Sequence, residues 1–285
     1  MPVNAPDLSC SSVFSVQGKT AVVTGASGFL GRTFVRAFLA NGARVVALGR
    51  SERLRREVEG WKASFGEGSC DSFQLDMYDS KALSDVLKKI AAEEASIDII
   101  VNNAHELGPS TGFNVPSGSL ENSDLETWTR NLTGGVYWAA ATTQALGKRM
   151  KEQKKGSIIN ISTMYALVAP RPQLYAGTQF INPPGYSASK AALLSFTRYV
   201  ASFWGSDGIR ANAILPGPFS NTEDLGGANS VDEDSPFLQR LKGYTCLGRV
   251  GRPDELVGAL LFLASDASSF MTGQGIVVDG GWTAV

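Results

Sequence analysis

Seven short β-rich runs recur along this chain, almost wholly apolar: Thr20–Thr24, Arg44–Leu48, Phe73–Leu75, Ile97–Val101, Ser157–Ile161, Ile209–Ile214 and Ile276–Val278. A strand with one solvated face alternates polar and apolar residues. Continuous apolar runs therefore imply strands covered on both faces, as in a parallel sheet. The segments between them carry helical patterns: Leu30–Ala40, Glu52–Ala63, Ser80–Glu94, Leu125–Met150, Ser187–Trp204 and Asp254–Leu263. Strand–helix alternation with short connections predicts an α/β fold, a doubly wound parallel β-sheet of about seven strands flanked by helices. No internal repeat, low-complexity linker or break in composition divides the 285 residues, so a single domain over 1–285 is expected.

The first strand runs into Thr24-Gly-Ala-Ser-Gly-Phe-Leu-Gly31 and then a helical pattern. Glycines at 25, 28 and 31 allow a tight turn and let a pyrophosphate approach the backbone, while the helix start supplies free N–H groups and a positive dipole end. A tight strand–helix turn also wants glycine for purely structural reasons, but the strand–turn–helix context favours dinucleotide binding. The cofactor is chosen at the end of the second strand. An acidic residue there would bind the ribose hydroxyls of NAD, whereas this chain reads Leu48-Gly49-Arg50-Ser51. Arg50 can pair with a 2′-phosphate, so NADP(H) is favoured, with NAD(H) the other option. The bland reading of Arg50 is a solvated arginine opening the next helix. Asp76, just after the third strand, is placed to meet the adenine edge, and Asn102 follows the fourth.

Tyr186-Ser-Ala-Ser-Lys190 leads into the helix formers Ala191, Ala192, Leu193 and Leu194. At i and i+4 the tyrosine and lysine share one helix face. A free phenol titrates near pH 10, about three units too high for proton transfer at neutral pH, and a fixed ammonium beside it would bring that value down. Alone, the pair is weak evidence, because the same spacing recurs on solvated helix faces.

Taken jointly and in order, these pieces resemble the short-chain dehydrogenases/reductases from about residue 13 onward. The matching segments are TGASGFLG at 24–31, Asn102-Asn103-Ala104, Asn131 in RNLTGG, SIINIST at 157–163, Tyr186/Lys190, Pro216-Gly217 and the closing GQGIVVDGG at 273–281. The resemblance implies a Rossmann-type sheet and an NAD(P)-dependent oxidoreductase interconverting an alcohol and a ketone. It implies Tyr186 as general acid or base, with Lys190 lowering its pKa and holding the nicotinamide-ribose hydroxyls. Thr163 falls in the place of the usual substrate-positioning serine, with Ser162 one residue before, and Asn131 supports a water linking Lys190 to solvent. Cofactor contacts fall on Gly25, Ser27, Gly28, Phe29, Leu30, Gly31, Arg50, Ser51, Asp76, Met77, Asn103 and Ala104. Pro216, Gly217 and Phe219 pack against the nicotinamide.

The departures from the family pattern are specific. Phe29 stands where ordinary single-domain members have glycine, a spacing commoner in the extended branch that acts on nucleotide sugars. The segment GRVGRPDELVGALLFLASDASSFMTGQ matches the ordinary branch, so the ordinary fold is expected. The usual NNAG reads Asn-Asn-Ala-His, and His105 is the only histidine. It is either a substrate contact or a loop histidine. Thr163 and Tyr186 stand 23 residues apart, a longer interval than the family uses. The surplus, an insertion over 164–185, holds Pro170, Pro172, Pro183 and Pro184, which argue for an ordered loop rather than a helix. Its Arg171, Tyr175, Thr178, Gln179 and Asn182 favour a hydroxyl-rich substrate over a steroid or fatty acyl chain, with Met164, Tyr165 and Tyr175 as substrate contacts. The alternative is a loop packed on a neighbouring subunit. The Tyr-x-Gly-Thr…Asn-Pro pattern is suggestive of relatives in surface-sugar biosynthesis. An amino-sugar or nonulosonate precursor therefore leads the expectation, followed by polyols, sugar acids and keto-sugars.

A substrate lid is expected over 220–245, with paired glycines and carboxylates in Ser220–Ser235. Residues 1–17 form an N-terminal extension without a readable signal peptide. A net charge of −1 without a basic tract gives no pointer to nucleic acid or to an anionic membrane, and no apolar run is long enough to span a bilayer. Cys10, Cys70 and Cys246 lack metal spacing and read as reduced thiols, so no metal and a cytoplasmic location are expected. The resemblance further implies a homodimer or homotetramer built through the helices at 125–150 and 187–204. Two other functions stay open: an extended-branch-like sugar epimerase or dehydratase with retained NAD, and a non-catalytic dinucleotide sensor.

Overall fold

The apolar runs pair with one another as neighbouring parallel strands. The structure, a computed structural model, describes residues 7–220, 232 and 234–285. Strands β1 (Thr20–Thr24), β2 (Arg44–Gly49), β3 (Cys70–Gln74), β4 (Ile99–Asn102), β5 (Gly156–Ile161), β6 (Ile209–Pro216) and β7 (Gly275–Val278) form one sheet in the order β3-β2-β1-β4-β5-β6-β7. Every pairing is parallel, with Val22 opposite Val46 on one side and Ile100 on the other. The connections are α1 (Cys10–Val13), α2 (Phe29–Ala40), α3 (Arg53–Phe65), α4 (Ser80–Glu93), α5 (Leu125–Leu132), α6 (Trp138–Gln153), α7 (Pro172–Tyr175), α8 (Pro184–Trp204), α9 (Pro236–Gly243) and α10 (Val257–Ala264).

Successive strand residues point to opposite faces, and each face has its own core. Ala21 and Val23 pack with Phe34 and Phe38 of α2 and Leu260 and Leu263 of α10. Val22, between them, packs with Leu83, Leu87 and Ile90 of α4, Leu146 and Met150 of α6 and Val200 of α8. Burial of such a side chain contributes about 1.5–3 kcal/mol. The doubly wound, Rossmann-type arrangement follows from apolar residues at consecutive strand positions.

Four elements differ from expectation. β3 begins at Cys70 rather than Phe73, because it is an edge strand whose Asp71 and Ser72 are exposed and carry no apolar signal. The continuous helix expected over 125–150 is split by a π-turn at Thr133–Tyr137. Gly135 lies within this turn, where a Cβ would lie 2.1 Å from Ser189 Oγ, so glycine lets the turn and α8 approach closely. α8 starts at Pro184 instead of Ser187, since proline lacks only an N–H that the first turn leaves unpaired anyway. The 164–185 insertion is not free of helix. It contains a 3₁₀ turn at Met164–Ala166 and the helical turn α7, both anchored by the buried Leu174, Met164 and Tyr165. Of the N-terminal extension, Val16 is fully buried and Phe14 meets Phe262 at 6.2 Å. No helix among the described residues is long and apolar enough to cross a membrane.

Candidate active site

The glycine turn between β1 and α2 forms the floor of a cleft of about 430 Å³ at the carboxyl ends of the strands. Gly25 has φ +65°, and a Cβ on it would lie 2.9 Å from Ala104 Cα. A Cβ on Gly31 would lie 2.1 Å from the Gly25 carbonyl oxygen. Backbone alone therefore fits here. Gly28 is the N-cap of α2 and offers no side-chain hydrogen bond, so the first N–H groups of the helix are left without a capping partner. That combination fits a pyrophosphate. Asn103 braces the turn, its Nδ2 donating to the carbonyls of Thr24 and Gly25 at 3.1 Å each. Of the cofactor residues named from the sequence, all line the cleft except Gly31, which packs beneath it.

Arg50 reaches across the cleft mouth and donates through Nη1 to Glu106 at 3.1 Å, with its side chain 58% exposed. Glu106 also accepts from Tyr78 Oη at 2.9 Å and Arg130 Nη2 at 2.8 Å, and the Arg130 guanidinium lies 4.1 Å from the Tyr78 ring centroid. Burial would raise the Glu106 carboxyl, but these three donors outweigh it and hold it below the ordinary carboxylate range. Two guanidinium groups and one carboxylate leave the cluster with one net positive charge. Ser51, expected at the cofactor, accepts from Arg53 N at 3.1 Å at the start of α3 while lining the cleft.

Tyr186 and Lys190 share the inner face of α8, as the i, i+4 spacing requires. Thr163 and Ser162, at the end of β5, approach the same helix and take different partners. The Thr163 hydroxyl accepts from Tyr165 N at 3.4 Å, whereas Ser162 Oγ donates to the Lys190 carbonyl at 2.9 Å. Lys190 Nζ donates to the Ile161 carbonyl at 2.8 Å, and burial pushes its pKa down to about 7. Burial pushes the Tyr186 phenol up to about 12, and Thr163 pulls against that rise.

His105 lies in the wall of the dinucleotide cleft, edge-on to the Tyr186 ring with centroids 5.1 Å apart. Burial, reinforced by the Lys190 charge and only partly opposed by the Gly134 backbone, holds its pKa well below the ordinary value. Asn131 is buried at the end of α5 away from the cleft wall. Its Nδ2 donates to the carbonyls of Thr111 at 2.8 Å and Thr127 at 2.9 Å, and its Oδ1 is left without a partner.

A second cavity, of about 210 Å³, adjoins the first under the 164–185 insertion. Thr163, Tyr186, Gly217, Phe219 and Leu107 border both, so the phenol stands where the two meet. Met164, Tyr165 and Tyr175, expected from the sequence to contact substrate, line the second cavity, and the Tyr165 and Tyr175 hydroxyls lie 3.1 Å apart. The expected polar lining is thinner than the sequence suggests. Arg171 turns outward over the Tyr244 and Trp282 rings and donates to the Val285 carbonyl, and Thr178 donates to the Tyr175 carbonyl. Glu106, Phe113, Phe180 and Phe237 are site residues that sequence reasoning missed. Of the expected lid, residues 221–231 and 233 lie outside the described residues, and 236–243 is helix α9.

A family model described as enoyl-(acyl carrier protein) reductase matches residues 25–283. The chain is 33% identical over 278 residues to a sorbose reductase of Schizosaccharomyces pombe, covering 95% of this chain and 98% of that protein. It is 31% identical over 283 residues to a D-threitol dehydrogenase of Mycolicibacterium smegmatis, covering 98% of each. The crystal structure of a gluconate 5-dehydrogenase from Burkholderia cenocepacia J2315, in complex with NADP and tartrate, matches with a TM-score of 0.81 at 28% identity, covering 97% of this chain and 100% of that one.

Proposed function

As a member of the ordinary single-domain branch of the short-chain dehydrogenases/reductases, this chain is an NAD(P)-dependent oxidoreductase, and we propose that it interconverts an alcohol and a ketone on a polar, carbohydrate-like substrate with NADP(H). The observation that carries this reading is the position of Tyr186, at the junction of a dinucleotide cleft and a separate small-molecule cavity. The relatives are named for a ketose, a tetritol and a sugar acid, which supports a hydroxylated carbon chain as substrate. Among the described residues, β7 and α10 belong to the same sheet and core as the glycine turn, which supports the ordinary branch over the extended-branch reading raised by Phe29.

The glycine turn and the start of α2 would hold the pyrophosphate, Arg50 the 2′-phosphate, and Lys190 the ribose hydroxyls of the nicotinamide half. When bound, the cofactor supplies or accepts the hydride. The chain's own residues handle the proton. With its pKa near 12, Tyr186 holds its proton at neutral pH and can donate it to a carbonyl oxygen in reduction. Thr163, which borders both cavities together with that phenol, positions the same oxygen. Tyr186→Phe should lower kcat by ~10²–10⁴-fold with the NADPH Kd unchanged, and a variant retaining most of its turnover would end the assignment.

Self-association through α8 and the α5–α6 segment is part of the same proposal. Tyr199 and Phe203 stack at 4.3 Å on the exposed side of α8, at 58% and 62% exposure, and Tyr137 is exposed on the π-turn. Light scattering of the purified protein would show a dimer or tetramer, and a monomer at micromolar concentration would refute it.

A further inference from the structure

The described lining of the cavity beside Tyr186 is rich in aromatic rings. Phe180 stacks on Phe237 at 4.2 Å, Tyr175 meets Phe237 at 5.8 Å, and Phe113 stands edge-on to Tyr186 at 5.2 Å. Among the described residues, no Lys, Arg, His, Asp or Glu lines it. The cations on the surrounding segments are engaged elsewhere. Arg171 covers Tyr244 and Trp282, Arg240 donates to the carbonyls of Gln173, Leu174 and Ala176, and Lys190 donates to Ile161.

Resting on the carbohydrate reading above, we propose that the substrate is an uncharged polyol or ketose, and that sugar acids and sugar phosphates are rejected. A carboxylate entering this cavity would lose its hydration and find no counter-ion. The C–H face of a neutral sugar can lie against the ring faces, whose quadrupole is negative. Its hydroxyls find partners in the same wall. Asn182 has a buried Oδ1 with no partner, which can accept from a hydroxyl, and the Tyr165 and Tyr175 hydroxyls stand together 3.1 Å apart. An apolar ketone would satisfy the rings but leave Asn182 Oδ1 unpaired.

The test is NADPH oxidation by the full chain with D-fructose or L-sorbose, with 5-ketogluconate, with D-fructose 6-phosphate and with an apolar cyclic ketone. The neutral ketoses should exceed the ketoacid and the phosphate in kcat/KM by ~100-fold or more, as expected where a charge would be buried unpaired. Equal or better turnover of the ketoacid or the phosphate overturns the charge inference while leaving the carbohydrate reading intact. Turnover of the apolar ketone alone overturns both. Phe180→Arg should raise the acid-to-neutral ratio of kcat/KM at least ~10-fold, and Phe180→Leu, which leaves the wall uncharged, should leave that ratio unchanged. A ratio unmoved by Phe180→Arg, in a protein that melts cooperatively and binds NADPH, overturns the inference.

Discussion

Replacing Lys190 with methionine removes a buried amine while keeping a side chain of similar length. Lys190 is 3% exposed, and burial takes its pKa from the ordinary 10.5 to about 7 in the folded chain. At 1.36 kcal/mol per tenfold loss of proton affinity, that depression amounts to about 5 kcal/mol acting against the folded state below pH 7. Between pH 7 and 10.5 the unfolded chain holds the proton and the folded chain does not, so stability rises with pH across this window. Above 10.5 the amine is neutral in both states and the penalty is gone. Methionine removes the penalty but leaves the Ile161 carbonyl without the donor it has at 2.8 Å, a loss of about 1–2 kcal/mol. The cofactor-free variant should therefore be about 3 kcal/mol more stable at pH 7, and slightly less stable than the parent at pH 10.5 and above. With an unfolding entropy near 2.1 cal/mol/K per residue, this corresponds to a Tm higher by about 5 °C at neutral pH. Thermal and urea melts of both proteins at pH 7 and 10, without cofactor, read the effect. Parallel stability–pH curves, or a variant less stable at pH 7, would refute the idea that dehydration of this amine is held in the fold.

The remaining predictions concern neighbouring groups. Arg50→Ala should raise the KM for NADPH by ~10–100-fold, as expected for a lost charge-assisted contact to phosphate, and leave that for NADH within a factor of two. Equal effects on both cofactors would remove Arg50 from 2′-phosphate recognition. Thr163→Ala should lower kcat by ~10²-fold with little change in Tm. Ser162→Ala should leave kcat nearly intact and lower stability by about 1 kcal/mol, because its hydroxyl serves the α8 backbone. The opposite pattern, read by steady-state kinetics and melting, would exchange their roles.

The central strands were legible because their burial on both faces leaves an unbroken apolar run, whereas β3, at the sheet edge, begins three residues earlier than its apolar signal. The residues of the glycine turn were legible because a tight backbone approach admits almost no other side chain. Local periodicity did not reveal the π-turn, since the residues on both sides of it are helical. Glu106 comes directly after His105, yet its importance depends on Arg50 and Arg130, which are 56 and 24 residues away. The aromatic wall likewise joins Phe113, Phe180 and Phe237 from distant segments. Spacing put Tyr186 and Lys190 on one helix face, but the depth of burial that sets their pKa values in opposite directions is a property of the assembled core.

The π-turn at Thr133–Tyr137 acts as a phase shifter. Each residue of an α-helix advances the side-chain direction by about 100°, so one additional residue in a wide turn resets the angular relation between α5 and α6. Asn131 meets the Thr111 carbonyl from one side of that reset, while Thr142, Thr143 and Leu146 enter the sheet-facing core from the other. An uninterrupted α-helix through these positions would turn Asn131 away from Thr111 without altering any residue's chemistry. Between 131 and 138, the number of residues is thus itself a specification of the site.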